Sequence, residues 1–368
     1  MKKILLATAA VMALTASAAQ AEVNLDLGGF FKGYAGYADQ DTDNLRGFDF
    51  KRKSEIHFTG ETTLDNGLTV GYKGELMQDM EEDLSANGGE FGGEESYVYF
   101  SGNWGRVNAG RGNGAAYLLQ VTAPGADANI DGQDIDFSFF NNGTTSREDY
   151  QQSGPDADAQ YSDKIVYMTP KFNGFQAGVS YSPRYETLER DTMLGGMEAD
   201  NTTGDLENMM ELAARYDGEF NGLGLHLGAG YTNASPEVDV ANVNNFGSED
   251  WKEWNAAVKF TYNAFGFGGA YITDNNAREA DNRDTDTWTV GADYTWGAYV
   301  FGANYFNSQD ENGTGVAEDE LDRWTVGATY TFGPGMDFRG AVASYDTENN
   351  GASSNDATVV TLGTDIQF

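Results

Sequence analysis

Three segments of the chain repeat one pattern: Trp254-Asn-Ala-Ala-Val-Lys-Phe-Thr-Tyr262, Trp288-Thr-Val-Gly-Ala-Asp-Tyr-Thr-Trp296 and Trp324-Thr-Val-Gly-Ala-Thr-Tyr-Thr-Phe332. Each is bounded by aromatic residues, carries apolar or small residues on one parity, and places Lys, Asp, Thr or Gly on the other. A period of two means a β-strand with two unlike faces. The aromatic ends stand about 26 Å apart along the strand, comparable, at a tilt near 45°, to an apolar band between two aromatic girdles. A strand in a soluble sandwich also alternates, but three near-identical copies are a poor match to that architecture.

Each copy is followed by a tight turn (Asn263-Ala264, Gly297-Ala298, Gly333-Pro334-Gly335) and a second strand ending in Tyr, at Tyr271, Tyr305 and Tyr345. Long acidic loops follow, such as Asp274 to Asp286 and Asp310 to Asp322; Asp39 to Asp43 and Asp79 to Asp83 are similar runs. Short turns on one side and long loops on the other are the grammar of an up-and-down transmembrane barrel. A propeller or solenoid would need a closer repeat. The same reading along the chain predicts strands at 25–38, 50–64, 68–78, 94–103, 105–111, 163–169, 175–185, 208–220, 223–232, 251–262, 265–274, 285–296, 298–309, 322–332, 336–345 and 357–368. The count of about sixteen is even, as closure with both ends on one side requires. Asp65-Asn66-Gly67 is the strongest single hairpin signal. Pro124, Pro155, Pro170, Pro236 and Pro334 fall in expected loops or turns and Pro183 near a strand end.

Composition narrows the class further. No run of about 18 apolar residues follows residue 21, which excludes a helical membrane span there. A mean hydropathy of −0.52 decides nothing for a barrel, whose lipid face is hidden by alternation. The absence of cysteine removes disulfide, thiolate-metal and Cys-nucleophile chemistry together. Met1-Lys2-Lys3, the apolar run Ile4 to Leu14 and Ala19-Gln20-Ala21 read as a secretory signal peptide over 1–21, with one mature domain over 22–368 starting at Glu22. The formal charge of −36, or −38 without Lys2 and Lys3, makes nucleic acid an unsuitable partner. It would also suit a soluble protein adapted to high salt, but the acids cluster between the aromatic segments.

The terminal strand, Ala357-Thr-Val-Val-Thr-Leu-Gly-Thr-Asp-Ile-Gln-Phe368, ends on an aromatic residue and sets Val360, Leu362, Ile366 and Phe368 on one face. It resembles the closing strand of bacterial outer-membrane barrels. One connection breaks the hairpin pattern: residues 112–162 contain no convincing strand, yet hold Tyr117-Leu118-Leu119, Ile130, Ile135, Phe137, Phe139 and Phe140. That is too apolar for a floating segment, so the loop is expected to pack on something. Its place after the fifth strand, the flanking Gly110-Arg111-Gly112-Asn113-Gly114 and the preceding Glu94 to Arg111 are similar to the region of the third loop in Gram-negative general diffusion porins. The likeness covers the chain beyond residue 21. It implies an all-β, sixteen-stranded antiparallel transmembrane β-barrel with a long inward-folded third loop that narrows a pore.

The resemblance implies further that some loop acids line a constriction opposite a basic wall. Residues 113–162 carry eight acids, Asp127, Asp131, Asp134, Asp136, Glu148, Asp149, Asp156 and Asp158, against one base, Arg147. Candidates for the wall are Lys32, Lys51, Lys53, Lys73 and Arg111. Alternation against Ile56, Phe58, Val70 and Tyr72 turns Lys53 and Lys73 toward the lumen, whereas parity at Arg111 is ambiguous. A salt-bridge network fixing the loop is the structural alternative. A loop of this kind is expected to add little to barrel stability.

An enzyme is not expected. His57 and His226 lie on distant strands without a triad partner, and both read as pore-lining polar groups. Asp281 to Asp286 lacks the glycine and terminal Glu of a calcium loop. No cofactor or metal is expected beyond loosely held divalent cations such as calcium at the acidic loops. The family likeness implies outer-membrane localisation, contact with lipid and lipopolysaccharide, passage of small hydrophilic solutes and ions, and a homotrimer. Gly28, Gly29, Gly33, Ala35 and Gly36 suggest a flat outer face on the first strand for such an assembly. A mildly cation-selective diffusion channel is the leading reading. A substrate-selective channel for a sugar or other small solute is the alternative, kept open by Phe30, Tyr34 and the loop aromatics.

Overall fold

The computed structural model describes residues 23–77, 94–144, 146–152, 161–185, 206–237, 249–277, 283–313, 316–349 and 354–368. The expected signal peptide, Glu22, Asp79 to Asp83, Pro155, Asp156 and Asp158 lie outside them. Sixteen strands follow one another: Asn24–Gln40 (β1), Phe48–Thr63 (β2), Thr69–Met77 (β3), Ser96–Gly102 (β4), Gly105–Arg111 (β5), Asp163–Met168 (β6), Phe175–Arg184 (β7) and Leu206–Phe220 (β8), then Leu223–Pro236 (β9), Trp251–Tyr262 (β10), Phe265–Asp274 (β11), Thr285–Trp296 (β12), Tyr299–Asp310 (β13), Asp319–Gly333 (β14), Met336–Glu348 (β15) and Ala357–Gln367 (β16). Every strand pairs antiparallel with its sequence neighbours, and β1 pairs with β16 to close the barrel. The expected strands are all present, with bounds shifted by a few residues at most.

Closure at the seam comes from a register in which Tyr34 faces Gly363 and Tyr37 faces Val360. It ends where Gly29 N–H donates to Phe368 O at 2.9 Å and Phe368 N–H returns a bond to Gly29 O at 3.1 Å. The tight turns follow backbone chemistry. Asn221 and Gly222 both hold positive φ, 53° and 82°, as a two-residue hairpin turn matched to strand twist requires. In the Asp65-Asn66-Gly67 turn only Gly67 does, at 82°.

On the outer face the repeated segments form the two expected girdles. Trp254, Tyr271, Trp288, Tyr305 and Trp324 run across β10 to β14 in one continuous band, neighbouring rings lying 5.2 Å (Trp254–Tyr271), 5.0 Å (Trp288–Tyr305) and 4.5 Å (Tyr305–Trp324) apart. Near the turns, Phe265–Tyr294 and Tyr299–Tyr330 close to 4.7 Å. Between the bands Val290, Phe301 and Val326 stand exposed, and Leu362 of the terminal strand is 68% accessible. Such exposure of large apolar side chains is stable against lipid, not water.

The apolar core lies inside the barrel. Ala123, Ile130, Phe137, Phe139, Phe140 and Tyr150 of the long loop pack on Tyr34, Ala38, Ile272, Phe306, Leu321, Tyr345 and Val359 of the wall. Phe140 stacks on Tyr345 with ring centroids 4.4 Å apart. The loop's own regular structure is two short helical turns, Ala115–Leu118 (α1) and Ala128–Asp131 (α2). The packing matches the expectation that the loop's apolar residues rest on something; each buried aromatic of this size contributes about 1.5–3 kcal/mol. The first strand is corrected. Gly28 and Gly36 share the lumen parity of Tyr34, and Gly36 lies against the Phe139 ring, so only Gly29, Gly33 and Ala35 belong to the outer face.

Replacing Phe140 by Ala is expected to cost about 3–5 kcal/mol through a cavity between loop and wall. Thermal unfolding in detergent checks this: the midpoint should fall by several degrees with β content unchanged at 25 °C, and an unchanged midpoint would contradict the packing.

Candidate functional site

The described residues of the loop, 112–144, 146–152 and 161–162, are held from many sides, which is possible only because they run within the lumen. Two glycines of the wall let its backbone come close. A Cβ at Gly291 on β12 would collide with the Pro124 carbonyl, and one at Gly302 on β13 with that of Gly125. Asn304 Nδ2 donates to Pro124 O at 3.2 Å beside them.

Among the described residues four arginines tie loop to wall, Arg215 on β8 through Nη1 to Gln120 O at 3.3 Å and three others more extensively. Arg147 extends from it to Glu253 Oε1 (2.9 Å) and Asp274 Oδ2 (3.4 Å) on β10 and β11. Arg323, fully buried on β14, donates from Nη1 to the Glu148 carbonyl at 2.8 Å and lies over the Phe306 ring. Arg339 on β15 reaches Asp127 Oδ1 at 3.1 Å, and Tyr34 Oη on β1 donates to the same carboxylate at 2.8 Å. Arg323 and Arg339 are absent from the sequence-derived site. Alternation could have found them, since Arg323 opposes Trp324 and Val326 in parity and Arg339 opposes Phe338.

The expected basic wall is present in part. Lys32 Nζ lies 2.6 Å from Asp136 Oδ2, and Lys53 Nζ lies 3.1 Å from Asp136 Oδ1. Lys51 donates to Ser138 O at 2.6 Å and stands over the Phe139 ring. Lys73, also lumenal, pairs with Glu75 at 2.7 Å and with Glu95. Arg111 requires correction. Its register partners are Ser96 and Asp163, giving it the parity of Val98 and Ile165, not that of Tyr97, Asn108 and Lys164, which face the lumen.

The six described loop acids also divide. Asp136 alone contacts the lysine wall. Asp134, two residues before Asp136, accepts from Tyr117 Oη at 2.9 Å. Asp127 faces β1 and β15 and caps α2 through Asn129 N–H. Asp131 turns inward on the loop, accepting from the N–H groups of Ala126 (2.8 Å) and Asp127 (3.1 Å). Asp149 accepts from Gln151, and Glu148 is held through its carbonyl by Arg323. Asp127, Asp131 and Asp149 are therefore parts of the anchorage, and the expectation that they oppose the lysines is not met; Glu148 is anchored through its carbonyl while the Lys51 charge reaches its carboxyl.

Burial pushes the Asp131 and Asp149 carboxyls up to about 6, against backbone hydrogen bonds at both and nearby arginine charge. At Asp136 burial also raises, but Lys53 and Lys32 outweigh it and hold the carboxyl below its usual range. A raised acid favours the folded loop when protonated. The contribution of Asp131 and Asp149 is complete below the ordinary value of 3.8 and is lost as pH rises through about 6. Asp136 has the opposite sign and loses its contribution only in acid. Amide exchange across residues 126–150, corrected for intrinsic rates, is therefore expected to be slower at pH 5 than at pH 8; the reverse order would contradict the assignment.

The arrangement can restrict, charge and orient what passes between the loop tip and the β2 to β5 wall. Comparison with known proteins agrees with that architecture. Residues 7–350 match the sequence profile of a Gram-negative porin family. An outer membrane porin protein of Bordetella pertussis is 27% identical over 303 residues, covering 73% of this chain and 71% of that relative. An uncharacterised protein of Rickettsia conorii is 26% identical over 217 residues, and the aligned part spans 48% of that relative's length. Among solved structures, a porin refined at 1.8 Å superposes with a TM-score of 0.60 at 19% identity, covering 94% of this chain and all of that one. A loop-deleted outer membrane protein of Vibrio cholerae gives 0.61 at 16% identity, with 94% and 99% coverage. At those identities the structures speak for the fold, while the profile match, over most of the chain, speaks for descent: the protein belongs to the Gram-negative porin family and is a multi-pass β-barrel of the outer membrane.

Proposed function

We propose that the protein is a water-filled channel for passive diffusion of small hydrophilic solutes and ions, mildly cation-selective, assembled as a homotrimer after removal of residues 1–21. The observation that carries this is the loop: its apolar side is packed on the wall from β11 round to β1, while its tip is tied to β2 through Lys53 and Asp136. Passage is left along β2 to β5. Carboxylates of Glu55, Glu61, Glu75, Glu94, Glu95, Asp134 and Asp136 there outnumber the charges of Lys32, Lys51, Lys53, Lys73 and Arg106. Such a path concentrates cations, and low-dielectric walls strengthen the effect at low ionic strength. Fixed charges of both signs across a narrow gap also set a transverse field that orients dipolar solutes. For the trimer, Ala35 is small on the outer face of the first strand, where the Phe31 ring lies over Gly33, and closure around a threefold axis needs only a heterologous contact; sedimentation in mild detergent reads the stoichiometry.

Shortening residues 125–158 is expected to raise the exclusion limit in liposome swelling with sugars of graded size, with the barrel still assembled. An unchanged limit would make the loop an external cap or a folding element.

Reversal potentials should show a modest cation preference. Neutralising Asp134 and Asp136 together should reduce it by removing two negative charges beside Lys32 and Lys53, whereas Asp131→Asn should leave it nearly unchanged because that carboxylate faces loop backbone. Anion preference of the wild type at low salt would overturn the selectivity.

A second reading rests on the aromatics of the same wall. Tyr97 lies 6.4 Å from Tyr99, whose own ring is buried between Gly71 and the Arg106 guanidinium, so the half-buried Tyr97 is the ring on which a sugar could stack. Faster swelling with one of two sugars of equal size would favour this substrate-selective reading.

A further inference from the structure

His57 stands among carboxylates in a way that channel lining does not require. Glu55 and His57 are two residues apart on β2 and share its lumen face, and His57 is the direct register partner of Glu75 on β3. Nε2 of His57 lies 2.9 Å from Glu55 Oε2 and 3.6 Å from Glu75 Oε1. One donor atom from each of the three falls within 4.8 Å of the others. Around a tetrahedral zinc ion with bonds of about 2.0–2.2 Å, neighbouring donors stand about 3.3–3.5 Å apart, between the two separations found here.

We propose that Glu55, His57 and Glu75 form a binding site for a divalent transition-metal cation, and that its occupancy lowers the cation current through the pore. An imidazole beside two carboxylates suits zinc or copper(II) better than calcium or magnesium, which prefer oxygen alone. The site is built on paired strands, so its donors are held by the sheet and little ordering is needed for binding. The Phe30 ring meets the His57 ring edge-on, at 84° with centroids 5.8 Å apart, which limits its rotation.

Two ammonium groups compete for the carboxylates, and both have alternatives. Lys53 contacts Glu55 at 3.3 Å but also Asp136 at 3.1 Å and Glu94 at 3.6 Å. Lys73 contacts Glu75 but also Glu95. A metal ion can therefore take Glu55 and Glu75 without leaving either lysine unpaired. His57 remains 31% accessible from the lumen, so an ion in transit can reach it. Its added charge beside Lys53 and the loop tip would repel following cations.

The inference rests on the channel reading only for its effect on current. Isothermal calorimetry of the full-length protein in detergent, titrated with zinc chloride, tests binding by itself. Wild type should show one saturable site per chain, His57→Ala should weaken it at least about tenfold, and Glu75→Gln should weaken it too. His226→Ala is the control, because that imidazole meets one carboxylate, Asp217, at 2.8 Å. In planar bilayers zinc should reduce wild-type conductance in the same concentration range, and His57→Ala should need at least about tenfold more for the same fractional loss. No saturable zinc heat, equal affinity in His57→Ala, equal preference for calcium, or binding without loss of current would each overturn the proposal. A wild type that carries no current before zinc is added would overturn the channel reading instead, and leave the calorimetric result standing.

Discussion

Every backbone N–H and C=O at hydrocarbon depth must find its partner within the protein, because lipid offers none. In this chain that requirement is met by one event, the pairing of β1 with β16, which turns an open sheet with two unsatisfied edges into a ring without any. The rest of the architecture depends on it. Only in a closed barrel do the two parities of each strand become a lipid face and a water-filled interior, and only then is there an interior for the loop to enter.

Within the interior the ordering is reversed from that of a soluble domain: the apolar core is a satellite of the inner wall, made by a loop. Its position is specified by a few long side chains. Arg147, Arg323 and Arg339 carry charge across the gap between loop and wall, and each meets a carboxylate or carbonyl that is itself nearly enclosed. Breaking such a buried partnership leaves an uncompensated charge, which is costly whatever the pair contributes in sum. In a chain with 58 acids and 22 bases, positive charge is the scarce component, and much of it is placed where acids must be held in register. Anchorage and selectivity thus draw on the same residues. Asp136 both fixes the loop tip to β2 and faces the passage, while Asp127 and Asp131 only anchor.

The strand order, the two girdles and the alternation of turns and loops were legible in the sequence because they are local or periodic. A residue's face follows from counting by two, as Lys53 and Lys73 illustrate, and a hairpin turn follows from Asn and Gly at adjacent positions, as at Asn221 and Gly222. Counting also held the information for Arg323 and Arg339. They lie on β14 and β15, outside the first five strands that supply the expected wall. Arg111 shows what counting leaves open: its unbroken register gives it the parity of Val98, yet its Nε is buried.

By itself the sequence determined that this chain makes a closed barrel in lipid with one oversized, partly apolar loop, since period, girdle spacing and loop composition leave no other solvent for the strands. Tertiary structure alone decided which loop acids meet which bases. Asp131 and Asp136 are five residues apart and chemically alike, yet one caps loop backbone and the other pairs with Lys32 and Lys53. No periodicity governs an irregular loop. The direction of each side chain there is set by contacts with strands more than a hundred residues away, as between Asp127 and Arg339, and those exist only once the barrel has closed around it.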